Sequence, residues 1–274
     1  MIVKNLVILI LLIILSNILF KENEVIKIST KNNKLIDHKV YWINLDSDIN
    51  RRLFMEKQFI KYNINNTRIP GVVGENLDDS YIEYICNGLE KRSKGSIGCL
   101  LSHLNAIKKA YEDGSEYAII MEDDICISLL DIKNINLNDI INNAPKKWEI
   151  LQLHYSNPKV LKMLLNQKIV SYLRWNSHNY STGFYLINRK GMIKIINNSE
   201  DENGYILDNK KSKYALSDHY IYSQCITFTY TKPVVIHTAS SSNVQTQGHV
   251  NKLHKLSKKM ILDYYNISEN YCML

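Results

Sequence analysis

Three consecutive carboxylates, Glu122, Asp123 and Asp124, follow directly after a short apolar run at residues 117–121. A continuous apolar run of this length is typical of a strand that is buried on both faces of a parallel sheet. Carboxylates crowded at the end of such a strand repel one another and cost stability unless a partner neutralises them. A divalent cation that prefers oxygen ligands, Mn²⁺ or Mg²⁺, would be a suitable partner. The alternative interpretation is a solvated acidic turn or a helix N-cap.

The predicted backbone assigns different directions to these three side chains. Successive side chains of an extended strand alternate between its two faces, so Glu122 and Asp124 should point one way and Asp123 the other. Ligands of open α/β sheets bind beyond the carboxyl ends of the strands. We therefore predict a metal site at Glu122 and Asp124, with Asp123 free to contact a sugar or ribose hydroxyl.

The elements around this cluster alternate between strands and helices. Apolar runs and 3.6-residue periodicities predict the following elements. The strands are at residues 40–45, 117–121, 148–153, 183–187 and 232–236, and the helices at 51–62, 97–111, 191–197 and 218–225. This alternation predicts an α/β fold with an open, mostly parallel sheet. We find no internal repeat and no signal for a second domain.

Composition narrows the function classes. The chain has 274 residues, of which 45% are hydrophobic and 22% charged, which excludes wholesale disorder and a coiled coil. The formal charge of +7 is spread along the chain rather than gathered into a basic stripe, so we predict no nucleic acid partner. Five cysteines without a C-x-x-C pair predict neither a structural zinc site nor a thioredoxin-type motif.

Two central motifs resemble glycosyltransferase family 25, which holds lipooligosaccharide sugar transferases and collagen hydroxylysine galactosyltransferases. They are GSIGCLLSHL at residues 95–104 and YAIIMEDD at residues 117–124, in the family's order. The run from Ile43 to Arg52 is similar to the family's INL strand and the D/R-rich residues after it. Residues 182–187 and 217–219 match more loosely, and the proline expected ahead of the aspartate in the last segment is absent.

The resemblance implies a Rossmann-like GT-A fold and a metal-dependent inverting hexosyltransferase. Such an enzyme moves a sugar from a nucleotide-sugar, here a UDP-hexose, to a hydroxyl of a glycan or protein acceptor, usually with Mn²⁺. One alternative is a phosphodiesterase or nuclease that uses the same carboxylates, but such two-metal sites usually need several separated acidic clusters. Another alternative is an inactive transferase-like protein that only binds a glycan or a protein.

Within this scheme, four residues near the first strand are candidate contacts for the nucleotide-sugar. Asn44 and Asp46 could hold uracil and ribose, although Asp46 could instead only form a turn. Arg51 and Arg52 could contact the nucleotide or its diphosphate, with a solvated helix start as the alternative.

Inversion also requires a general base that takes the proton of the acceptor hydroxyl. Asp218, at a predicted helix start, is our candidate for this catalytic role, and helix capping is its alternative role. His219 and His237 could be the base or a metal ligand instead. We further expect His103 to form a hydrogen bond to the acidic segment and so orient it.

The N-terminus predicts an association with a membrane. Residues 1–20 form a signal-anchor or signal peptide, with a single pass through residues 6–20, and a buried core helix is the third possibility. Residues 21–37 form a polar stem, 38–262 the catalytic domain and 263–274 a C-terminal tail. We expect the catalytic domain to be lumenal, or secreted if the segment is cleaved, although the stem lysines favour the opposite orientation.

Overall fold

The computed structural model describes residues 35–268 except residues 92, 168, 170, 208–209, 211 and 239–246, with residues 247–251 described by their backbone alone. The apolar segment predicted at residues 1–20 lies outside the described residues, as does most of the predicted stem. Among the helices that are described, none combines the length and the apolar character needed to cross a membrane.

The described strands are short and follow one another through most of the chain. They are β1 (Val40–Asn44), β2 (Asn66–Pro70), β3 (Tyr117–Glu122), β4 (Ile125–Cys126), β5 (Ile150–Gln152), β6 (Tyr172–Arg174), β7 (Phe184–Asn188), β8 (Glu200–Asp201), β9 (Gly204–Tyr205), β10 (Thr227–Tyr230) and β11 (Ile236–His237). Seven of them form the central sheet in the order β2-β1-β3-β7-β5-β10-β6. Strands β7 and β6 run antiparallel to the other five, so the predicted open, mostly parallel sheet is confirmed.

Helices cover the two faces of the sheet, and a 3₁₀ turn forms at Gly74–Asn76. The described helices are α1 (Ile49–Lys61), α2 (Asp79–Ile85), α3 (Lys94–Glu112), α4 (Ser128–Ile132), α5 (Leu137–Asn142), α6 (Pro158–Leu165), α7 (Arg189–Ser199), α8 (Ser217–Gln224) and α9 (Gln247–Tyr265). Helix α3 places Ile97, Leu100, Leu104 and Ile107 in the buried core, as its periodicity predicts. Burying each such side chain stabilises the fold by about 1.5–3 kcal/mol.

The strand predicted at residues 232–236 is wrong over most of its length. Only Ile236 continues into β11, which pairs with β4 outside the central sheet. Pro233 lacks the N–H that a ladder needs, and Val234 and Val235 are buried in the core without strand pairing. The central sheet instead uses β10, whose alternating Thr-Phe-Thr-Tyr sequence lies outside the predicted strands.

The topology places the ends of several strands at one edge of the sheet. Strands β1, β3 and β5 run in one direction and end there, and the antiparallel strand β7 begins there. Asn44, Glu122, His154 and Thr182 therefore lie at or just beyond the same edge. This is the edge where open α/β sheets bind their ligands.

A close approach between α3 and the loop before the 3₁₀ turn shapes one side of this edge. An added Cβ on Gly98 would lie 2.5 Å from the Val72 carbonyl oxygen and 2.7 Å from the Gly74 nitrogen. Ser102, one turn further along α3, accepts a hydrogen bond from the Val72 N–H at 2.8 Å. Glycine at position 98 therefore lets the loop backbone seat directly on the helix.

Asp113, at the C-terminal end of α3, joins this helix to β1, and we expect its removal to lower stability. Its carboxylate accepts hydrogen bonds from Lys109, from Lys39 at 2.6 Å and from the Tyr41 hydroxyl at 3.0 Å. The bonds from Lys109 and then Lys39 hold the pKa of Asp113 below its ordinary value. Asp113→Asn should lower the free energy of unfolding at pH 7 by about 1–2 kcal/mol, measured by urea denaturation.

The pH dependence gives this prediction a second readout. A depressed carboxylate pKa stabilises the fold at pH values above the unfolded pKa of about 4, and the contribution is lost as the pH falls toward the folded pKa. The difference between the wild type and Asp113→Asn should therefore shrink below about pH 4. Asp263→Asn, at an exposed position of α9, is the control and should stay close to wild type. An equal loss in both variants would contradict the prediction.

Candidate active site

Asp124 lies opposite His237 because two short strands pair. In the β4–β11 ladder, His237 is the partner of Ile125, and the Thr238 N–H donates to the Asp124 carbonyl oxygen at 2.8 Å. The His237 Nε2 atom is 3.0 Å from Asp124 Oδ2. Burial opposes ionisation of Asp124, but His237, followed by Arg51, outweighs it and holds the pKa of Asp124 below its ordinary value. Burial likewise opposes the charge on His237, but Asp124 raises the pKa of this imidazole.

Asp123 points toward β1 and α1, away from His237. Its Oδ1 accepts a hydrogen bond from Arg51 Nη1 at 2.8 Å, and its Oδ2 accepts one from Asn44 Nδ2 at 2.7 Å. The Arg51 guanidinium also lies 3.6 Å from Asp124 Oδ2, so it serves two carboxylates. Burial and the neighbouring Asp124 raise the pKa of Asp123 to about 6, although Arg51 and Asn44 act against this rise.

Glu122 is held by α3 and by the start of β7. Its Oε1 accepts a hydrogen bond from Thr182 Oγ1 at 2.9 Å and lies 3.3 Å from His103 Nε2. The other His103 nitrogen lies 3.3 Å from the Tyr185 hydroxyl. Burial opposes ionisation of Glu122, but the contact with His103 and the Thr182 bond lower its pKa overall. His103 thus contacts the acidic segment at the position where we expected it.

The protein itself supplies much of the charge compensation that we assigned to a cation. Arg51 faces Asp123 and Asp124, and His237, whose pKa is raised, faces Asp124. One atom is nevertheless left over. Asp124 Oδ1 is buried and has no hydrogen-bond partner among the described residues. An unsatisfied carboxylate oxygen at this position fits a ligand for a hard divalent cation.

Two cavities open at this edge of the sheet and meet at the acidic cluster. The smaller, of about 120 Å³, is lined by Asn44, Arg51 and Asp123 and by residues 71–75. The larger, of about 450 Å³, is lined by residues 180–183 just before β7 and by residues of α8, β11 and α9. Cys99, Glu122 and Asp124 line both cavities. Glu122 and Asp124 therefore stand where a ligand that occupies both cavities would pass.

Asp218 lies in the wall of the larger cavity, in the first turn of α8. Its Oδ2 accepts a hydrogen bond from the Ser181 N–H at 3.1 Å, and its Oδ1 accepts one from the His219 N–H at 2.8 Å. The preceding Ser217 hydroxyl lies 2.9 Å from Thr182 Oγ1, which in turn binds Glu122. A short chain of hydroxyls thus connects the neighbour of Asp218 to the acidic cluster.

The other predicted site residues divide into those that reach the cluster and those that do not. Asn44 reaches it, but its amide is used to hold Asp123, Asp48 and Arg68. Asp46 is 79% exposed and pairs with Arg68, and Arg52 pairs with Glu56 at 2.9 Å. Neither Asp46 nor Arg52 lines the two cavities, so the structure does not bring them to the site.

Two histidines at the site were missed. His154, just after β5, forms a hydrogen bond with Ser181 at 2.8 Å, and His254, on α9, has its ring centroid 4.0 Å from that of His237. Burial and His237 lower the pKa of His154 to about 3 and that of His254 to about 4, which leaves both neutral at pH 7. The position of His154 just after a predicted strand could have placed it at the site, whereas no local sequence feature predicts that His254 lies there.

Two cavities that meet at buried carboxylates, just beyond the strand ends of an open sheet, are typical of the ligand-binding sites of α/β enzymes. The sequence profile of Glycosyltransferase family 25 (LPS biosynthesis protein) matches residues 37–220, which is more than half of the chain. The chain belongs to glycosyltransferase family 25.

The chain is also similar to a curated protein and to a solved structure. Procollagen galactosyltransferase 1-B of Xenopus laevis is 24% identical over 179 residues, which cover 60% of this chain but 29% of that protein. The chain thus spans less than a third of the length of this relative. The crystal structure of a glycosyltransferase involved in the glycosylation of the major capsid of PBCV-1 covers 57% of this chain and 61% of its own, with 10% identity. Its TM-score of 0.32 is too low to carry an argument.

Proposed function

We propose that the protein is a metal-dependent inverting hexosyltransferase that uses a UDP-hexose donor and a hydroxyl acceptor on a glycan or protein. The observation that carries this proposal is Asp124, whose buried Oδ1 lacks a partner among the described residues at the junction of two cavities. Glu122 lies at the same junction, and Asp218 lies in the wall of the larger cavity.

Glu122 and Asp124 are the proposed ligands of Mn²⁺ or Mg²⁺, and His237 is a third candidate beside Asp124. When bound, the cation would neutralise the leaving diphosphate as a Lewis acid. The smaller cavity, which carries Arg51 and Asp123, would hold the nucleotide, with the guanidinium adding positive charge toward the diphosphate.

The larger cavity would hold the hexose and the acceptor hydroxyl. In a single displacement, the acceptor oxygen forms a bond to the anomeric carbon while the bond from that carbon to the diphosphate breaks. Asp218 would take the hydroxyl proton, and UDP would leave with the bonding electrons. The backbone N–H groups of Ser181 and His219 hold the Asp218 carboxylate on the cavity wall.

Incubation of the full-length chain in detergent with Mn²⁺ and individual UDP-sugars tests the proposal. UDP-galactose comes first because the Xenopus relative is named a galactosyltransferase. We expect one donor to give UDP and free sugar by slow hydrolysis in the absence of acceptor. An α-linked donor should first release the β anomer, read by proton NMR, because one displacement inverts the anomeric carbon.

Other products would contradict the proposal in distinguishable ways. UMP with a sugar phosphate would indicate a phosphodiesterase, and initial release of the α anomer would indicate retention. Intact donors across the panel, with donor binding preserved, would indicate a transferase-like binding protein.

We also propose that the protein is associated with a membrane and that its catalytic domain is lumenal. This part of the proposal rests on the apolar segment at residues 6–20.

A further inference from the structure

A second cluster of metal-binding atom types lies beside Asp124 and does not include it. One ligand atom each from Cys99, His103 and Glu122 can be chosen so that all lie within 4.8 Å of one another. Cys99 and His103 are one turn apart on the same face of α3, and Glu122 ends the neighbouring strand β3. The spacing C-x₃-H on the helix is therefore completed by a carboxylate from the sheet.

The ligand atoms of Cys99 and His103 form only long polar contacts among the described residues. His103 is fully buried, and both of its ring nitrogens have their polar contacts at 3.3 Å, long for a hydrogen bond. The Cys99 thiol has the Ser217 hydroxyl as its contact at 3.6 Å, and it is not in a disulfide. A cation bound to the thiol, the imidazole and the carboxylate would replace these long contacts with shorter metal–ligand bonds.

The ligand set selects a different cation from the one proposed at Asp124. Mn²⁺ and Mg²⁺ prefer oxygen ligands, whereas a thiolate with an imidazole suits Zn²⁺ and related thiophilic ions. Three protein ligands with an open fourth position is a common arrangement for zinc. Access exists, because Cys99 and Glu122 line both cavities.

We infer that Cys99, His103 and Glu122 form a binding site for a thiophilic divalent cation of the zinc class. Binding forms a bond from the Cys99 sulfur to the cation and releases the thiol proton to solvent, without any change of oxidation state. Because Glu122 is also a proposed ligand of the catalytic cation, occupancy of this site would compete with the hard cation. The inference rests on the ligand atoms alone and not on glycosyl transfer.

Titration of the full-length chain with Co²⁺, a spectroscopic stand-in for Zn²⁺, tests the inference. We expect a near-ultraviolet charge-transfer absorption from thiolate to cobalt that saturates at one equivalent. An equimolar amount of Zn²⁺ should remove this absorption, whereas an equimolar amount of Mn²⁺ should not, because a thiolate ligand favours zinc over manganese. Cys99→Ser should abolish the band. Cys225→Ser is the matched control, since Cys225 is a buried cysteine outside both cavities, and it should keep the band.

A further variant covers the possibility that Cys99→Ser does not fold. His103→Gln keeps the thiol and should weaken Co²⁺ binding by at least about 10–100-fold, the loss seen for supporting residues of metal sites. No charge-transfer band at saturating Co²⁺ in the wild type, or a band that survives Cys99→Ser, would overturn the inference. Because the readout is absorption, failure of UDP release would leave this result intact, and the absence of the band would leave the transferase proposal intact.

Discussion

Asp124→Asn should reduce Mn²⁺-supported turnover of the donor by roughly 10²–10⁴-fold, which is several kcal/mol of transition-state stabilisation. The substitution keeps the size of the side chain but removes the charge that a divalent cation requires. Initial rates of UDP release at a fixed free Mn²⁺ concentration are the measurement. Asp131→Asn, at an exposed position on α4, is the matched control and should keep the wild-type rate.

The same variant carries a stability cost in the metal-free protein. Wild-type Asp124 lies 3.0 Å from His237 and 3.6 Å from Arg51, so Asn leaves the imidazole and the guanidinium with a weaker partner. We expect the free energy of unfolding to fall by about 1–3 kcal/mol. A folded Asp124→Asn protein with near wild-type turnover would show that the metal hypothesis is wrong.

Asp218→Asn should reduce turnover by roughly 10²–10⁴-fold through a different cause, the loss of a positioned general base. Asn keeps the shape of the side chain and one oxygen acceptor for the backbone N–H of Ser181 or His219. Rate measurements across pH should also lose the acidic limb, because the group whose deprotonation that limb reports is gone.

His219→Gln separates Asp218 from its neighbour. His219 lines the same cavity, but its ring packs edge-on against Tyr214, with centroids 5.2 Å apart, and against Trp175 at 6.0 Å. We expect His219→Gln to keep the acidic limb of the pH profile. Full activity of Asp218→Asn together with loss of that limb in His219→Gln would move the base to the histidine.

The location of the acidic segment after a buried strand could be predicted from local sequence, but the directions of its side chains could not. Strand β3 ends at Glu122 and residues 123–124 form a turn before β4, so strand alternation does not set the directions of Asp123 and Asp124, and the Arg51 guanidinium contacts both. The edge of the sheet that carries the site could also be predicted, because buried parallel strands have a recognisable continuous apolar sequence.

The partners of these side chains could not be derived in the same way. His237 reaches Asp124 through a ladder of two-residue strands, and α9, which carries His254, begins beyond the predicted elements. Such contacts depend on tertiary packing between residues more than a hundred positions apart. Asp46 and Arg52 follow the end of β1 but line neither cavity, because proximity to a strand end does not decide whether a side chain faces the cavity or the solvent.

Calorimetric titration of each variant with the donor that gives UDP release is the most direct test. Performed with and without Mn²⁺, it shows whether the acidic cluster binds the cation and donor while Asp218 acts only in the reaction. The wild type and Asp218→Asn should bind the donor with affinities within a few-fold of each other, and both should depend on Mn²⁺. Asp124→Asn should lose most of the Mn²⁺-dependent affinity. Equal loss of binding in both variants would place Asp218 among the metal ligands, and Mn²⁺-dependent binding that survives Asp124→Asn would contradict the assignment of the catalytic cation to this cluster.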